Sequence, residues 1–181
     1  MRLLLGRPKT NEGRLPKEIR VYDFLDSLGI EYYRIDHAQA NHFEDCEEIE
    51  KVLDNVLCKN LFLSNKQRSK FYVLMMPAAK VFKTRELSSQ INSSRLSFAE
   101  SDYMEKFLDV TPGSVSIMGL MNDTENKVQL LVDEDILKPE YVGCHPCINT
   151  SSLRLKTKDV FDTFLKAVHH DYIVVKLVGE E

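Results

Sequence analysis

The chain has 181 residues, 43% hydrophobic and 29% charged, a length and balance that suit one domain with a buried core. Its net charge of −4 argues against non-specific coating of nucleic acid, because such binding depends on many Lys and Arg contacts to phosphate. The amino end has only three consecutive leucines, too few for a secretory signal, and no run approaches the roughly 20 apolar residues of a membrane span, so we expect a soluble cytoplasmic protein.

The first part of the chain predicts an arm, a helix and a strand. Residues 1–16 contain glycines and prolines with little periodicity, which indicates an extended arm ahead of a single domain at 17–181. Apolar residues recur at helical spacing over 17–28, and the glycine that follows is a common helix end. Residues 30–35 are then predicted as a strand.

The middle of the chain predicts a hairpin between short helices. A helix over 46–57 has one apolar face and acidic residues near its start, where the helix dipole favours them. The apolar runs 61–63 and 71–76 flank a polar loop and predict a hairpin of buried strands. Thr84–Ile91, with a Ser/Thr-type cap, and Ser101–Leu108 are predicted as further helices.

The last third predicts strands at 115–120, 128–132, 147–155 and 172–178, with an amphipathic helix over 157–168. Strands and helices interleave without a regular βαβ period. We therefore predict an α+β, or mixed α/β, fold in which a central, largely antiparallel mixed sheet is flanked by helices.

Few residues suggest chemistry by themselves, because the common phosphate-loop, metalloprotease and nucleophile-elbow motifs are absent from the sequence. Lys59 and Asn60 stand just ahead of an apolar strand, where a polar side chain can project into a cleft, although a lysine in water is the simpler interpretation. His145 lies in a polar, turn-prone insert and could donate a hydrogen bond or move a proton, but many loop histidines have no such role.

Cys144 and Cys147 form a C-x-x-C pair, which raises the possibility of redox or metal chemistry. A thiol oxidoreductase would place this pair at the start of a helix, whereas the residues that follow favour strand or loop. A zinc site would require two further ligands, and Cys46 and Cys58 show no matching spacing. We expect no metal and no cofactor, and four reduced thiols in the cytosol.

Local basic patches remain compatible with the acidic net charge, although each is also typical of ordinary solvated surface. The candidates are Lys66, Arg68 and Lys70; Lys80, Lys83 and Arg85; and Arg154, Lys156 and Lys158.

The order of several weak motifs is more informative than any one of them. In chain order they are Lys59–Leu63, Phe71–Leu74, Thr111–Ser116 with Gly119–Asp123, His145-Pro146 with Asn149-Thr150, and a final helix carrying Phe161 and Phe164. Over roughly residues 17–178 this succession resembles the YbaK and prolyl-tRNA synthetase-associated editing family, and within it the branch called ProX, PrdX or ProXp-ala.

The resemblance implies a fold similar to the insertion domain of bacterial prolyl-tRNA synthetase, with a cleft at one end of a mixed sheet. It implies Lys59 and His145 as catalytic residues, with Lys59 anchoring the terminal phosphate or the substrate carbonyl and His145 holding the substrate. The implied substrate-binding residues are Asn60, Gly113, Ser114, Val115, Ser116, Pro146, Asn149 and Thr150. The family's G-x-x-x-P loop falls on 113–117, where Ile117 replaces the proline.

The activity implied is hydrolysis of the ester that joins a wrong amino acid to a tRNA, with alanyl-tRNA for proline as the expected substrate. A synthetase pocket distinguishes side chains that differ by one methylene by only about 1–3 kcal/mol of binding free energy, so a second, editing site is needed to remove the wrong amino acid. The implied partners are tRNA and, beyond it, prolyl-tRNA synthetase, with no membrane. Lys59 and His145 must then meet around one small hollow.

Two other functions remain open at this point. A non-catalytic relative that binds aminoacyl-tRNA or an amino acid would share every feature except catalytic activity. The replacement of the family proline by Ile117 leaves this alternative open. A C-x-x-C thiol redox protein is the second alternative.

Overall fold

The computed structural model describes residues 1–39, 43–54 and 58–180. The α-helices are α1 (Pro16–Ser27), α2 (Phe43–Leu53), α3 (Thr84–Gln90), α4 (Ser101–Leu108) and α5 (Leu165–Ala167), which continues a π-helical turn at Asp159–Phe164; 3-10 helices cover Ile117–Asn122 and Glu134–Ile136. The strands are β1 (Leu4–Leu5), β2 (Tyr32–Asp36), β3 (Cys58–Ser64), β4 (Phe71–Pro77), β5 (Ser97–Phe98), β6 (Val128–Asp133), β7 (Tyr141–Cys144), β8 (Ser151–Lys156) and β9 (Tyr172–Val175).

The described strands form two sheets. The first has the order β1-β2-β8-β7 and is antiparallel throughout. The second has the order β5-β3-β4-β6-β9, in which β3 pairs antiparallel with both neighbours while β4, β6 and β9 run parallel. The predicted mixed α+β class and the antiparallel majority are confirmed, but the strands divide between two sheets instead of building one central sheet.

Both sheets bury one face in the same apolar core. Tyr32 and Leu153 of the first sheet belong to one cluster with Phe62 and Met75 of the second, and Tyr22 of α1 joins them. Successive side chains of a strand point to opposite faces, so the other face of β3 and β4 packs elsewhere. It forms a smaller cluster under α3.

The hairpin predicted from the two apolar runs is confirmed, because β3 and β4 pair along their whole length from Cys58↔Pro77 to Ser64↔Phe71. Strand β3 begins at Cys58, so Lys59 and Asn60 lie within the strand and not ahead of it. The helices predicted near 17–28 and 101–108 and the strand near 128–132 are also confirmed. The predicted end of the second helix, residues 55–57, lies outside the described residues.

The strand predicted at 115–120 is wrong, because Ile117–Asn122 forms a 3-10 helix. The Ser116 hydroxyl accepts a hydrogen bond from the Met118 amide at 3.1 Å and so caps the first turn. A Cβ on Gly119 would lie 3.1 Å from the Leu108 carbonyl oxygen, so this turn packs tightly on α4. An apolar run buried on every side has no period that distinguishes a strand from a helix.

Other predictions fail at element ends. The strand predicted at 147–155 starts only at Ser151, as β8, because the preceding residues form a turn in which Cys147 is left-handed at φ +63°. Strand β7 was not predicted. The predicted cap of α3 is absent, since the Thr84 hydroxyl donates to the Leu96 carbonyl at 2.7 Å. Residues 4–5 of the predicted arm pair with β2 at a sheet edge. No helix within the described ranges is long and apolar enough to cross a membrane.

We predict that Leu74→Ala lowers the free energy of unfolding by about 2–5 kcal/mol, because Leu74 is fully buried in the central strand β4. Val174→Ala is the matched control, since Val174 is 48% exposed on β9, and its loss should stay within about 0.5 kcal/mol. Urea denaturation measures both variants. Equal losses would contradict the packing described above.

Candidate functional site

The start of β3 and the end of β7 meet at one end of the shared core. The Cys58 thiol donates to the Gly143 carbonyl at 3.2 Å, and the neighbouring thiol of Cys144 packs in the same cluster. The Ser116 hydroxyl donates to the His145 carbonyl at 2.5 Å. Three segments far apart in sequence, from β3, the loop before the first 3-10 helix and the β7–β8 turn, are thereby brought together.

Lys59 lies on the face of β3 that carries Leu61 and Leu63, the side covered by α3. Its ammonium donates to the Lys80 carbonyl. The main chains of Lys59 and His145 flank the contact between β3 and β7, but no hydrogen bond in the described part of the chain joins their side chains. The two side chains have different partners, and their meeting around one hollow stays a prediction.

Asn60 lies on the opposite face of β3, with Cys58 and Phe62, and so points toward the shared core and the end of β7. Its Oδ1 atom is buried and has no hydrogen-bond partner in the described residues. A buried acceptor without a donor costs about 1–3 kcal/mol. Such an atom indicates a place where an external donor can bind.

The loop before the first 3-10 helix lies beside the β7–β8 turn. Gly113 has φ +87°, and a Cβ placed there would lie 3.6 Å from the side-chain nitrogen Nδ2 of Asn149. Pro146 is buried, whereas Thr150 is exposed and its carbonyl accepts a hydrogen bond from the His37 amide at 3.0 Å. The structure therefore brings the two predicted substrate loops side by side.

The backbone amides of this loop are mostly unused. The Ser114 amide donates to the Thr111 carbonyl at 3.0 Å, so it is not available to a ligand. The amides of Gly113, Val115 and Ser116 donate to no acceptor among the described residues. Ser116 is fully buried and Val115 nearly so. Among the described residues these three N–H donors have no acceptor, and the Ser116 hydroxyl joins their loop to the His145 carbonyl.

His145 is held as a neutral hydrogen-bond acceptor. Its Nδ1 lies 3.0 Å from the Ser151 carbonyl, which can only accept, so Nδ1 carries the proton. Burial lowers the pKa of His145 below its ordinary value of 6.5, the bond to Ser151 opposes this, and nearby His37 adds to the lowering. At neutral pH the Nε2 atom therefore presents a lone pair.

A polar network behind His145 was not predicted. The Ser151 hydroxyl donates to Asp36 at 2.8 Å, and Arg14 makes two hydrogen bonds of 3.0 Å to the same carboxylate. Arg34 also binds it. Burial alone would raise the pKa of Asp36, but these hydrogen bonds lower it below the ordinary value of 3.8. The charged carboxylate thus anchors Ser151, whose carbonyl orients His145.

A signal for this network exists in the sequence. Alternation along β2 puts Arg34 and Asp36 on the same face as buried Tyr32. Charged residues on the buried face of a strand require partners, and that requirement points to a network.

The C-x-x-C pair is not arranged for redox chemistry. Cys144 and Cys147 are 6% and 1% exposed and are free thiols. Burial raises the pKa of Cys147 to about 12 and that of nearby Cys58 to about 11, and it also raises the pKa of Cys144. Within the described ranges, no cluster of three or more His, Cys, Asp or Glu side chains could hold a metal ion.

The chain matches known proteins over most of its length. A family model described as an aminoacyl-tRNA editing domain matches residues 37–163. The prolyl-tRNA editing protein ProX of Acetoanaerobium sticklandii is 29% identical over 153 residues, which cover 84% of this chain and 93% of the relative. Prolyl-tRNA synthetase associated domain-containing protein 1 of Danio rerio is 28% identical over 163 residues, which cover 89% of this chain and 86% of the relative.

A solved structure described as a candidate trans-editing enzyme for prolyl tRNA synthetase shares the fold. It superimposes with a TM-score of 0.66 over 90% of this chain and 98% of its own, at 14% sequence identity.

We predict that Cys58, Cys144 and Cys147 resist alkylation by iodoacetamide in the native protein at pH 7 and react after unfolding. Only a thiolate attacks the reagent, and each of these thiols has a raised pKa. Mass spectrometry of the peptides measures the labelling of each cysteine. Rapid labelling of Cys144 or Cys147 in the native protein would support the alternative of a thiol redox protein.

Proposed function

Because the chain belongs to the aminoacyl-tRNA editing domain family, we propose that it is a deacylase that acts in trans on mischarged tRNA. The bond cleaved is the ester between the amino acid and the terminal ribose. Alanyl-tRNA for proline is the proposed substrate; the names of the ProX and synthetase-associated relatives support the tRNA, and alanine is our proposal. A small amino acid that enters a proline pocket is the kind of error that a second sieve must remove.

The observation that carries this proposal is the buried Oδ1 of Asn60, which has no hydrogen-bond partner among the described residues. An aminoacyl ester brings a donor, its α-ammonium, and an acceptor, its carbonyl oxygen. Asn60 Oδ1 is an acceptor for the first, and the amides of Gly113, Val115 and Ser116, which have no acceptor among the described residues, are donors for the second. The hydrogen-bonding groups of the site are complementary to those of the substrate.

The chemistry requires positioning and charge stabilisation more than a strong nucleophile, because an aminoacyl ester is already activated. Water adds to the ester carbonyl carbon, and the oxygen that becomes negative is stabilised by the loop amides. The carbon–oxygen bond to the ribose then breaks and the ribose oxygen takes up a proton. His145 Nε2 accepts a hydrogen bond from the water or from the neighbouring ribose hydroxyl, which the family resemblance implicates.

Lys59 is proposed to hold the terminal phosphate of the tRNA. Its ammonium uses one donor on the Lys80 carbonyl and has further N–H groups for a ligand. The lysine stands at the start of β3, next to Asn60 in sequence and on the other face of the strand. A nucleotide bound there would present its ribose to the Asn60 side.

We predict that the protein hydrolyses alanyl-tRNA for proline and spares correctly charged prolyl-tRNA in a deacylation assay. Lys59→Ala should lower kcat/KM roughly 10- to 150-fold, because a hydrogen bond to a charged group contributes about 1.5–3 kcal/mol. Lys66→Ala, an exposed lysine in the β3–β4 turn, should leave kcat/KM unchanged. If the native protein binds these tRNAs without turnover, it is a binding or regulatory relative.

We predict that kcat/KM falls at acid pH with a midpoint below 6.5, the ordinary pKa of histidine. The pKa of His145 is below 6.5, so the imidazole is neutral at pH 7, and protonation of Nε2 at lower pH removes the acceptor. The rates must be corrected for uncatalysed ester hydrolysis. His145→Asn should abolish this acid limb, and His169→Gln should retain it, since His169 is exposed. An acid limb centred above pH 7 would refute this role.

A further inference from the structure

An exposed aromatic surface lies at the edge of the second sheet, on the face that carries Lys59. Phe98 of edge strand β5 is 66% exposed, and its ring centroid is 5.9 Å from that of Phe82. Val81 beside it is 39% exposed. Natural edge strands are commonly protected by charges or bulges, so a bare phenylalanine at this position indicates a binding surface.

Three cations lie close in sequence to these rings and belong to two segments that a hydrogen bond joins. The hydrogen bond of 2.7 Å from Thr84 to the Leu96 carbonyl joins the start of α3 to the segment before β5. Lys83 and Arg85 flank Thr84, and Arg95 precedes Leu96. Across the described residues none of the three side chains makes an ion pair or hydrogen bond, and all are exposed.

The nearby acids are engaged elsewhere. The carboxylate of Glu86, the only acid of α3, accepts hydrogen bonds from the Val178 and Gly179 amides at 3.3 and 3.4 Å. Glu100 pairs with Arg68 at 2.7 Å. On a chain with net charge −4, a cluster of cations without partners is complementary to a polyanion.

We propose that this surface, formed by Val81, Phe82, Lys83, Arg85, Arg95 and Phe98, binds the single-stranded 3′ end of the substrate tRNA. Exposed aromatic rings provide platforms on which bases stack, and neighbouring Lys and Arg side chains contact the phosphates. The combination favours single-stranded RNA over a protein partner. This inference rests on the proposed function, because the RNA end must lead to the site.

The spacing along β3 fits that path. Lys59 and Leu63 share one face of the strand, and Phe98 lies directly opposite Leu63 in the β3–β5 pair, so it shares that face. Four residues of strand span about 13 Å. Nucleotides stacked about 3.4 Å apart cover the same distance in about four units. An RNA end whose last phosphate reaches Lys59 therefore lays its preceding bases on Phe98 and Phe82.

Binding of uncharged tRNA for proline tests the proposal without requiring catalysis. Phe98→Ala should raise Kd roughly 5- to 150-fold, the range for loss of one stacked base, and Phe98→Tyr should restore binding. Ile173→Ala, which is 41% exposed on the opposite edge strand β9, should bind normally. Arg85→Ala and Arg95→Ala should each reduce the slope of log K against log salt by about 0.7.

A truncated tRNA identifies the occupant. With tRNA that lacks its single-stranded 3′ end, wild type and Phe98→Ala should bind equally. In deacylation, Phe98→Ala should raise KM and leave kcat unchanged. Phe98-dependent binding in a protein without turnover would preserve this inference and refute the proposed function. Unchanged Kd and KM in Phe98→Ala would overturn the inference. It would also be overturned if Phe98→Ala weakened the binding of a protein partner and left RNA binding intact.

Discussion

Burial of both sheets in one apolar core is the constraint on which the rest of the structure depends. Tyr32 and Leu153 from the first sheet share that core with Phe62 and Met75 from the second, so the two sheets cannot separate without exposing it. This packing forces the start of β3 against the end of β7. The β7–β8 turn and the loop before the first 3-10 helix are consequently held at one end of the core, where backbone and side-chain polar groups replace apolar contacts.

The polar groups at this end are held in place from two directions. Asp36, bound by Arg14 and Arg34, holds Ser151, and the Ser151 carbonyl in turn orients the His145 ring. Ser116 holds the main chain of the same histidine from the opposite loop. A site assembled in this way has its acceptors and donors oriented before a ligand arrives, which is the condition for electrostatic stabilisation of a developing charge.

Strand β3 separates two tasks because adjacent residues point to opposite faces. Asn60 faces the loops that would hold an aminoacyl group, whereas Lys59 faces α3 and shares its face with Phe98. The two proposals describe one path, in which RNA passes over the side of the sheet that α3 covers and the amino acid crosses the end of β3. In these proposals the neighbouring residues Lys59 and Asn60 bind the nucleotide and the amino acid, respectively.

The sequence alone determined the α1 and α4 helices and the β3–β4 hairpin, because helical spacing of apolar residues marks α1 and two apolar runs around a polar loop mark the hairpin. Motif order indicated the family and the candidate residues Lys59, Asn60 and His145. The 3-10 turn at Ile117–Asn122, the division into two sheets and the network around Asp36 were decided by tertiary structure. Each depends on contacts between segments far apart in the chain, and no local pattern encodes which distant partner will satisfy a buried group.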